Sequence, residues 1–247
     1  MINPRAKECI IVALDVECEE EALDLVIALR DYVGFFKVGL ELVNSVGYSV
    51  VQKIKDLGGQ IFLDLKFMDI PNTVAGASRG AVRQGVKMFN VHTLGGLEMM
   101  KAAVNAVDLE SSKFQSGRPL LLGVTILTSI SQSIMNNDLR ISGSIGGQVA
   151  HLASMASQAG LDGVIASPQE VEVIRNHVSN KMFIVTPGVR PVWAAANDQK
   201  RVMTPGEAIR AGASLVVIGR PITRPPGEIG TPVHAALLVL EEISAVL

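Results

Sequence analysis

The sequence predicts an α/β fold, a (β/α)8 barrel forming a single domain over residues 1–247, and three observations lead there. Short runs rich in Val, Ile, Leu and Phe recur along the whole chain, separated by stretches with helical apolar spacing, the rhythm of successive βα units. Eight such runs can be counted, which is a barrel's number. IIVAL at 10–14 and LVVIG at 215–219 are apolar without alternation, implying burial on both faces, as in a parallel sheet wrapped by helices. A doubly wound open sheet is the runner-up.

Taken in order, the first strand is expected at 9–15, where CIIVALD closes on Asp15. The second, 35–41, carries Lys37 inside FFKVGLE, and the third, 61–67, is IFLDLKF. KMFNVHT at 87–93 and PLLLGVTIL at 119–127 make the fourth and fifth. GVIAS, FIVTP and LVVIGR supply the last three, at 163–167, 183–187 and 215–220. Helical patterns fill the intervals, with a final one near 232–246, so eight helices are expected to follow eight strands. No Gly-rich linker, charge block or low-complexity stretch divides the chain.

Of the 247 residues, 48% are hydrophobic and 19% charged, a balance suited to one large core. The formal net charge of −2 leaves no chain-wide basic field for a nucleic acid or an anionic membrane. The opening MINPRAKECIIVALD is too short in its apolar run for a signal segment, and no later run approaches ~20 apolar residues. A cytoplasmic protein is expected. Cys9 and Cys18, the only cysteines, read as unpaired thiols in a chain large enough to need no staples.

Barrel active sites sit at the C-terminal ends of the strands, which draws attention to charged residues closing apolar runs. Five segments supply them: Asp15; Lys37; Asp64, Lys66 and Asp69 in IFLDLKFMDIPNTV; Arg190 in VTPGVRP; and Arg220 in LVVIGRPIT. Residues two apart on a strand share a face, so Asp64 and Lys66 are expected to point together into the barrel mouth. Leu63, Leu65 and Phe67 then face the helices, and Asp69 lies on the following loop. Buried charges need partners, and Asp15 and Lys37 from adjacent strands supply them. The alternative is an ion-pair network that only closes the barrel.

A fixed ammonium among carboxylates suits chemistry in which negative charge develops on carbon, because it can stabilise a carbanion and then protonate it. Lys66 is the natural proton donor. A neighbouring carboxylate placed against a substrate carboxylate would favour its loss as neutral CO2. Gly219 and Arg220 suit a phosphate, which loops after the seventh and eighth barrel strands commonly hold: glycine allows close backbone approach and arginine binds bidentately. The long stretch TPGVRPVWAAANDQ reads as a lid offering Arg190 and Gln199 as donors. His92, His151, His177 and His234 show no paired metal-ligand spacing, and His92 is expected to pack or hydrogen-bond.

Through ALD, FKVGLEL, FLDLKFMDIPNTV, VTILTS, VTPGVRP with DQ following, and VIGRPIT, the chain resembles the orotidine 5'-phosphate decarboxylase family from about residue 9 to 224. The resemblance implies decarboxylation of orotidine 5'-monophosphate to uridine 5'-monophosphate with no metal, flavin or pyridoxal cofactor. It implies that Asp15 and Lys37 contact ribose hydroxyls, Asp64 sits beside the leaving carboxylate and Lys66 protonates C6. Asp69, Ile70 and Thr73 would serve the neighbouring active site of a two-fold homodimer. Thr128 would contact the pyrimidine edge, and Arg190, Gln199, Gly219 and Arg220 would grip the phosphate. After Thr223, TRPPGEIGTP departs from the family's usual Asp-Pro-containing approach to the last helix, putting the start of that helix in question; Arg224 is read as a solvated loop residue. The rivals are a metal-dependent sugar-phosphate decarboxylase or synthase of the same barrel family, and a non-catalytic nucleotide sensor.

Overall fold

Eight parallel strands close on themselves in sequence order, each hydrogen-bonded to the next and the last to the first. The computed structural model describes residues 3–114, 117–194 and 203–247. The strands are β1 (Ile10–Ala13), β2 (Phe35–Gly39), β3 (Ile61–Phe67), β4 (Met88–His92), β5 (Leu120–Val124), β6 (Gly163–Ile165), β7 (Phe183–Pro187) and β8 (Leu215–Ile218). This is the TIM-barrel arrangement.

The expected strands are all present, two with the expected ends and the others shorter by two to four residues. The helix count departs from the simple one-per-strand expectation. A short helix, Pro4–Glu8, precedes β1, and the β2–β3 crossover is split into Leu40–Val46 and Ser49–Asp56. Gly47, at φ 81° and ψ 174°, ends the first of these in a backbone conformation open to glycine. After β8 the chain turns at once into Arg220–Thr223, so Gly219 and Arg220 lie beyond the strand, not at its end. The atypical segment that follows ends at Thr231, whose hydroxyl caps helix Pro232–Ser244 by accepting the His234 N–H at 3.2 Å. That start agrees with the expected 232.

Two apolar layers hold the barrel. Alternate strand residues, among them Val12, Phe36, Leu63, Phe89 and Ile184, pack outward against the helices. The intervening set, Ile11, Phe62, Met88, Leu122, Ile165, Val185 and Val217, fills the interior. Near the C-terminal ends of β2, β3 and β4 the interior positions turn polar: Phe35 gives way to Lys37, Phe62 to Asp64 and Met88 to Asn90. The apolar plug forms a floor, and the charged layer lies above it at the end of the barrel where such folds place their active sites.

Candidate active site

Four charged side chains from three neighbouring strand ends form a line. Lys37 Nζ lies 2.8 Å from Asp15 Oδ1 and 3.4 Å from Asp64 Oδ2, while Lys66 Nζ lies 2.7 Å from Asp64 Oδ1. Signs alternate along it, so each ammonium faces a carboxylate. The side chains of Lys37 and Asp64 are each 11% exposed, whereas that of Lys66 is 31% exposed and opens to the mouth.

Burial shapes the titration of the inner pair, and the partners overrule it. For Lys37, burial favours the neutral amine, but the carboxylates of Asp64 and Asp15 hold its pKa above the ordinary lysine value. For Asp64, burial favours the neutral acid, but Lys37 and Lys66, with hydrogen bonds from Lys66 and Asn90, hold it below the usual carboxylate range. Both are therefore charged at neutral pH.

Gly39 makes this spacing achievable. It stands beside Asp64 in the β2–β3 register, and a Cβ there would come 2.9 Å from Lys37 Nζ. Glycine leaves the gap through which the ammonium reaches Asp15 and Asp64 together.

The expectation that Asp64 and Lys66 share a strand face holds for where they point but not for how. The β3–β4 register runs Phe62↔Met88 and Leu63↔Phe89, then jumps to Phe67↔Val91. Three residues of β3 thus stand against Asn90 alone, and Lys66 adopts φ 51°, a left-handed conformation uncommon for a side-chain-bearing residue. Asn90, fully buried, spans the irregularity: its Oδ1 accepts the Lys66 N–H and its Nδ2 donates to Asp64 Oδ1, each at 2.7 Å. Sequence reasoning missed this residue. Its only signal was a lone asparagine inside the apolar run KMFNVHT.

Two lobes open from the charged line. One, of about 220 Å3, is lined by Asp64 and Lys66 with Phe62, Ile126, Thr128 and Ser129. The other, of about 500 Å3, is lined by Asp15, Glu41, Arg190, Gly219, Arg220 and Arg224. Lys37, Pro187 and Val217 belong to both walls, so the lobes adjoin. The first has the mixed apolar and hydrogen-bonding lining of a ring site, and the second the cations of an anion site. A larger cavity, about 690 Å3, lies at the opposite end near Phe35, Met88, Leu120 and Phe183; it is remote from the charged line.

Arg190, inside the expected lid, donates its backbone N–H to the carbonyl of Met203 at 3.0 Å. Gln199 lies outside the described residues. Arg224 reaches Glu21 at 3.1 Å with a side chain 64% exposed; it is solvated, as expected, and also borders the anion lobe. Asp69, Ile70 and Thr73 are exposed at the start of helix Pro71–Arg83, and Asp69 Oδ1 accepts the Ile70 N–H at 2.6 Å. Within one chain the structure does not bring them into the line of charges. His92 caps the turn after β4, its Nδ1 accepting the Leu94 N–H at 3.4 Å, and burial with the nearby Lys66 charge lowers its pKa. Among the described residues no three His, Cys, Asp or Glu side chains are grouped to hold a metal ion, and both cysteines are unpaired.

The fold and this mouth define a class: a (β/α)8 barrel whose mouth holds lysines among carboxylates beside a lobe lined by arginines. Comparison narrows it. The profile described as "Orotidine 5'-phosphate decarboxylase / HUMPS family" matches residues 8–229. Proteins named orotidine 5'-phosphate decarboxylase from Syntrophotalea carbinolica and Syntrophomonas wolfei are similar to the chain at 50% and 49% identity, covering 98% and 97% of it and 97% and 99% of themselves. The crystal structure of orotidine 5'-phosphate decarboxylase from Lactobacillus acidophilus is similar at a TM-score of 0.81 and 37% identity, covering 95% of this chain and 98% of that one. The chain belongs to the orotidine 5'-phosphate decarboxylase / HUMPS family.

Proposed function

We propose that the chain decarboxylates orotidine 5'-monophosphate to uridine 5'-monophosphate and CO2, the closing step of UMP synthesis, in the cytoplasm and without metal or organic cofactor. The observation that carries this reading is Asp64, which lines the ring lobe and is fixed between Lys66 and Lys37, the lysine that lines both the ring lobe and the anion lobe. A nucleotide laid across both lobes puts its phosphate near Arg190, Gly219 and Arg220 and its base near Thr128. Asp15 and Lys37 then face the ribose hydroxyls, and Gln199 joins the phosphate grip.

The chemistry follows from the charges. The bond from C6 to the carboxylate breaks, CO2 leaves, and the electron pair stays on C6. The Lys66 ammonium faces that pair, stabilises it and gives it a proton; solvent then reprotonates the amine. Asp64, held ionised by two lysines, opposes the substrate carboxylate and favours its departure as a neutral molecule. Binding energy from the remote phosphate, spent on closing the lid, supports the same step. Electrostatics and positioning together must supply a share of the ~8–23 kcal/mol that enzymes commonly take from a barrier.

The exposure of Asp69, Ile70 and Thr73 beside the mouth supports a two-fold homodimer in which they complete the neighbouring site. Metal-using sugar-phosphate chemistry in a related barrel is the competing reading, and the lysines that separate these carboxylates weigh against it. The test is incubation with orotidine 5'-monophosphate in excess chelator. Stoichiometric uridine 5'-monophosphate and CO2 are expected. Turnover of sugar phosphates only, or activity that returns only with a divalent cation, would overturn the proposal, as would tight nucleotide binding without turnover.

A further inference from the structure

We propose that Asn90 is a positioning residue for this reaction: its side-chain amide replaces the interrupted β3–β4 ladder and so fixes both Asp64 and Lys66. The proposal rests on the decarboxylase reading for its chemistry, while the bridge itself is a matter of geometry. Where β3 gains its extra residues, the ladder can no longer supply an acceptor in register to the Lys66 N–H. Asn90 Oδ1 supplies one at 2.7 Å, which holds Lys66 at φ 51°.

The other end of the same amide donates to Asp64 Oδ1 at 2.7 Å, the oxygen that also accepts from Lys66 Nζ at 2.7 Å. The orientation of the amide is dictated by its partners, since a backbone N–H can only donate and a carboxylate can only accept. One planar group thus sets the backbone angle of the lysine and the rotation of the carboxylate that lysine faces. Asn90 is fully buried, and a buried amide is kept where both its ends are satisfied. Met88 precedes it on the same face and packs in the barrel interior, so an apolar residue would continue that layer but leave the Lys66 N–H and the Asp64 oxygen short of a partner.

Two variants of nearly equal size separate this role from packing. Asn90→Leu removes both hydrogen bonds; Asn90→Asp keeps the acceptor but sets a second carboxylate against Asp64. The like charge raises the introduced group's affinity for a proton, and once protonated it donates to Asp64 as the amide does. In both variants kcat is expected to fall roughly tenfold or more through misplacement of Lys66, with uridine 5'-monophosphate affinity held within about threefold because the phosphate grip is untouched. The activity of Asn90→Asp relative to Asn90→Leu should rise as the pH is lowered, a recovery that packing alone does not produce.

Parental kcat in folded Asn90→Leu, or a loss in Asn90→Asp that is the same at every pH, would overturn the proposal. Should neither variant fold, hydrogen exchange at the Lys66 amide of the parent decides: strong protection supports the bridge, and exchange at the rate of an open loop overturns it. If the parent itself fails to turn over the nucleotide, the decarboxylase reading falls, and the exchange measurement still judges the bridge separately.

Discussion

Lys37 and Asp64 are shifted in opposite directions by a shared cause, the partners that outweigh their burial. The signs give a pH window. Asp64 has a folded pKa below its unfolded value of about 3.9, so its contribution to stability is present above that value and is lost as pH falls through the folded pKa. Lys37 has a folded pKa above its unfolded value of about 10.4, so its contribution is full below that value and is lost as pH rises through the folded pKa. Between roughly pH 4 and pH 10 the Lys37–Asp64 pair therefore stays charged. Thermal unfolding measured against pH should show the parent losing stability at the acid end, with Asp64→Asn lacking part of that dependence. An identical acid slope in both proteins would contradict the assignment.

At the scale of elements, the strands were legible because burial on both faces writes continuous apolar runs, and their charged ends marked the mouth. The Asp64, Lys66 and Asp15 positions followed from that rule alone. What stayed hidden depended on register. A period of two cannot announce the extra residues in β3, so the left-handed Lys66 and its dependence on Asn90 were invisible until β4 was in place. Gly39 was equally silent, since its value lies in the space it leaves for a lysine on the same strand. Replacing it tests that point. The backbone there suits any residue, with φ −105°, but a new Cβ would crowd Lys37 Nζ from 2.9 Å. Gly39→Ala is expected to remain folded, because the long lysine can move aside, yet to lose on the order of 100-fold in kcat/KM. Unchanged steady-state kinetics would show that Lys37 has no fixed place in the chemistry.

At the scale of the whole molecule, the barrel separates stability from function along its axis, with apolar layers below and charges above. The line of charges within one chain ends at Lys66, and Asp69, three residues on, is exposed. In the proposed dimer a partner copy extends the line. Mixing inactive Lys66→Ala and Asp69→Ala chains then leaves one intact site in each hybrid, and random exchange at equal amounts should restore about a quarter of parental activity. No recovery after exchange has been verified by mass would assign Asp69 to its own chain or to no site. The described residues contain no helix long and apolar enough to cross a membrane.

The central claim is that Lys66, held among carboxylates, delivers the proton that completes decarboxylation, and loss of orotidine 5'-monophosphate absorbance in excess chelator tests it most directly. For the parent a fast decay is predicted, and for folded Lys66→Ala, with uridine 5'-monophosphate binding retained, a rate lower by at least ~10²–10⁴-fold. A variant that decays at a rate near the parent's would contradict the account, because the proton would then come from elsewhere.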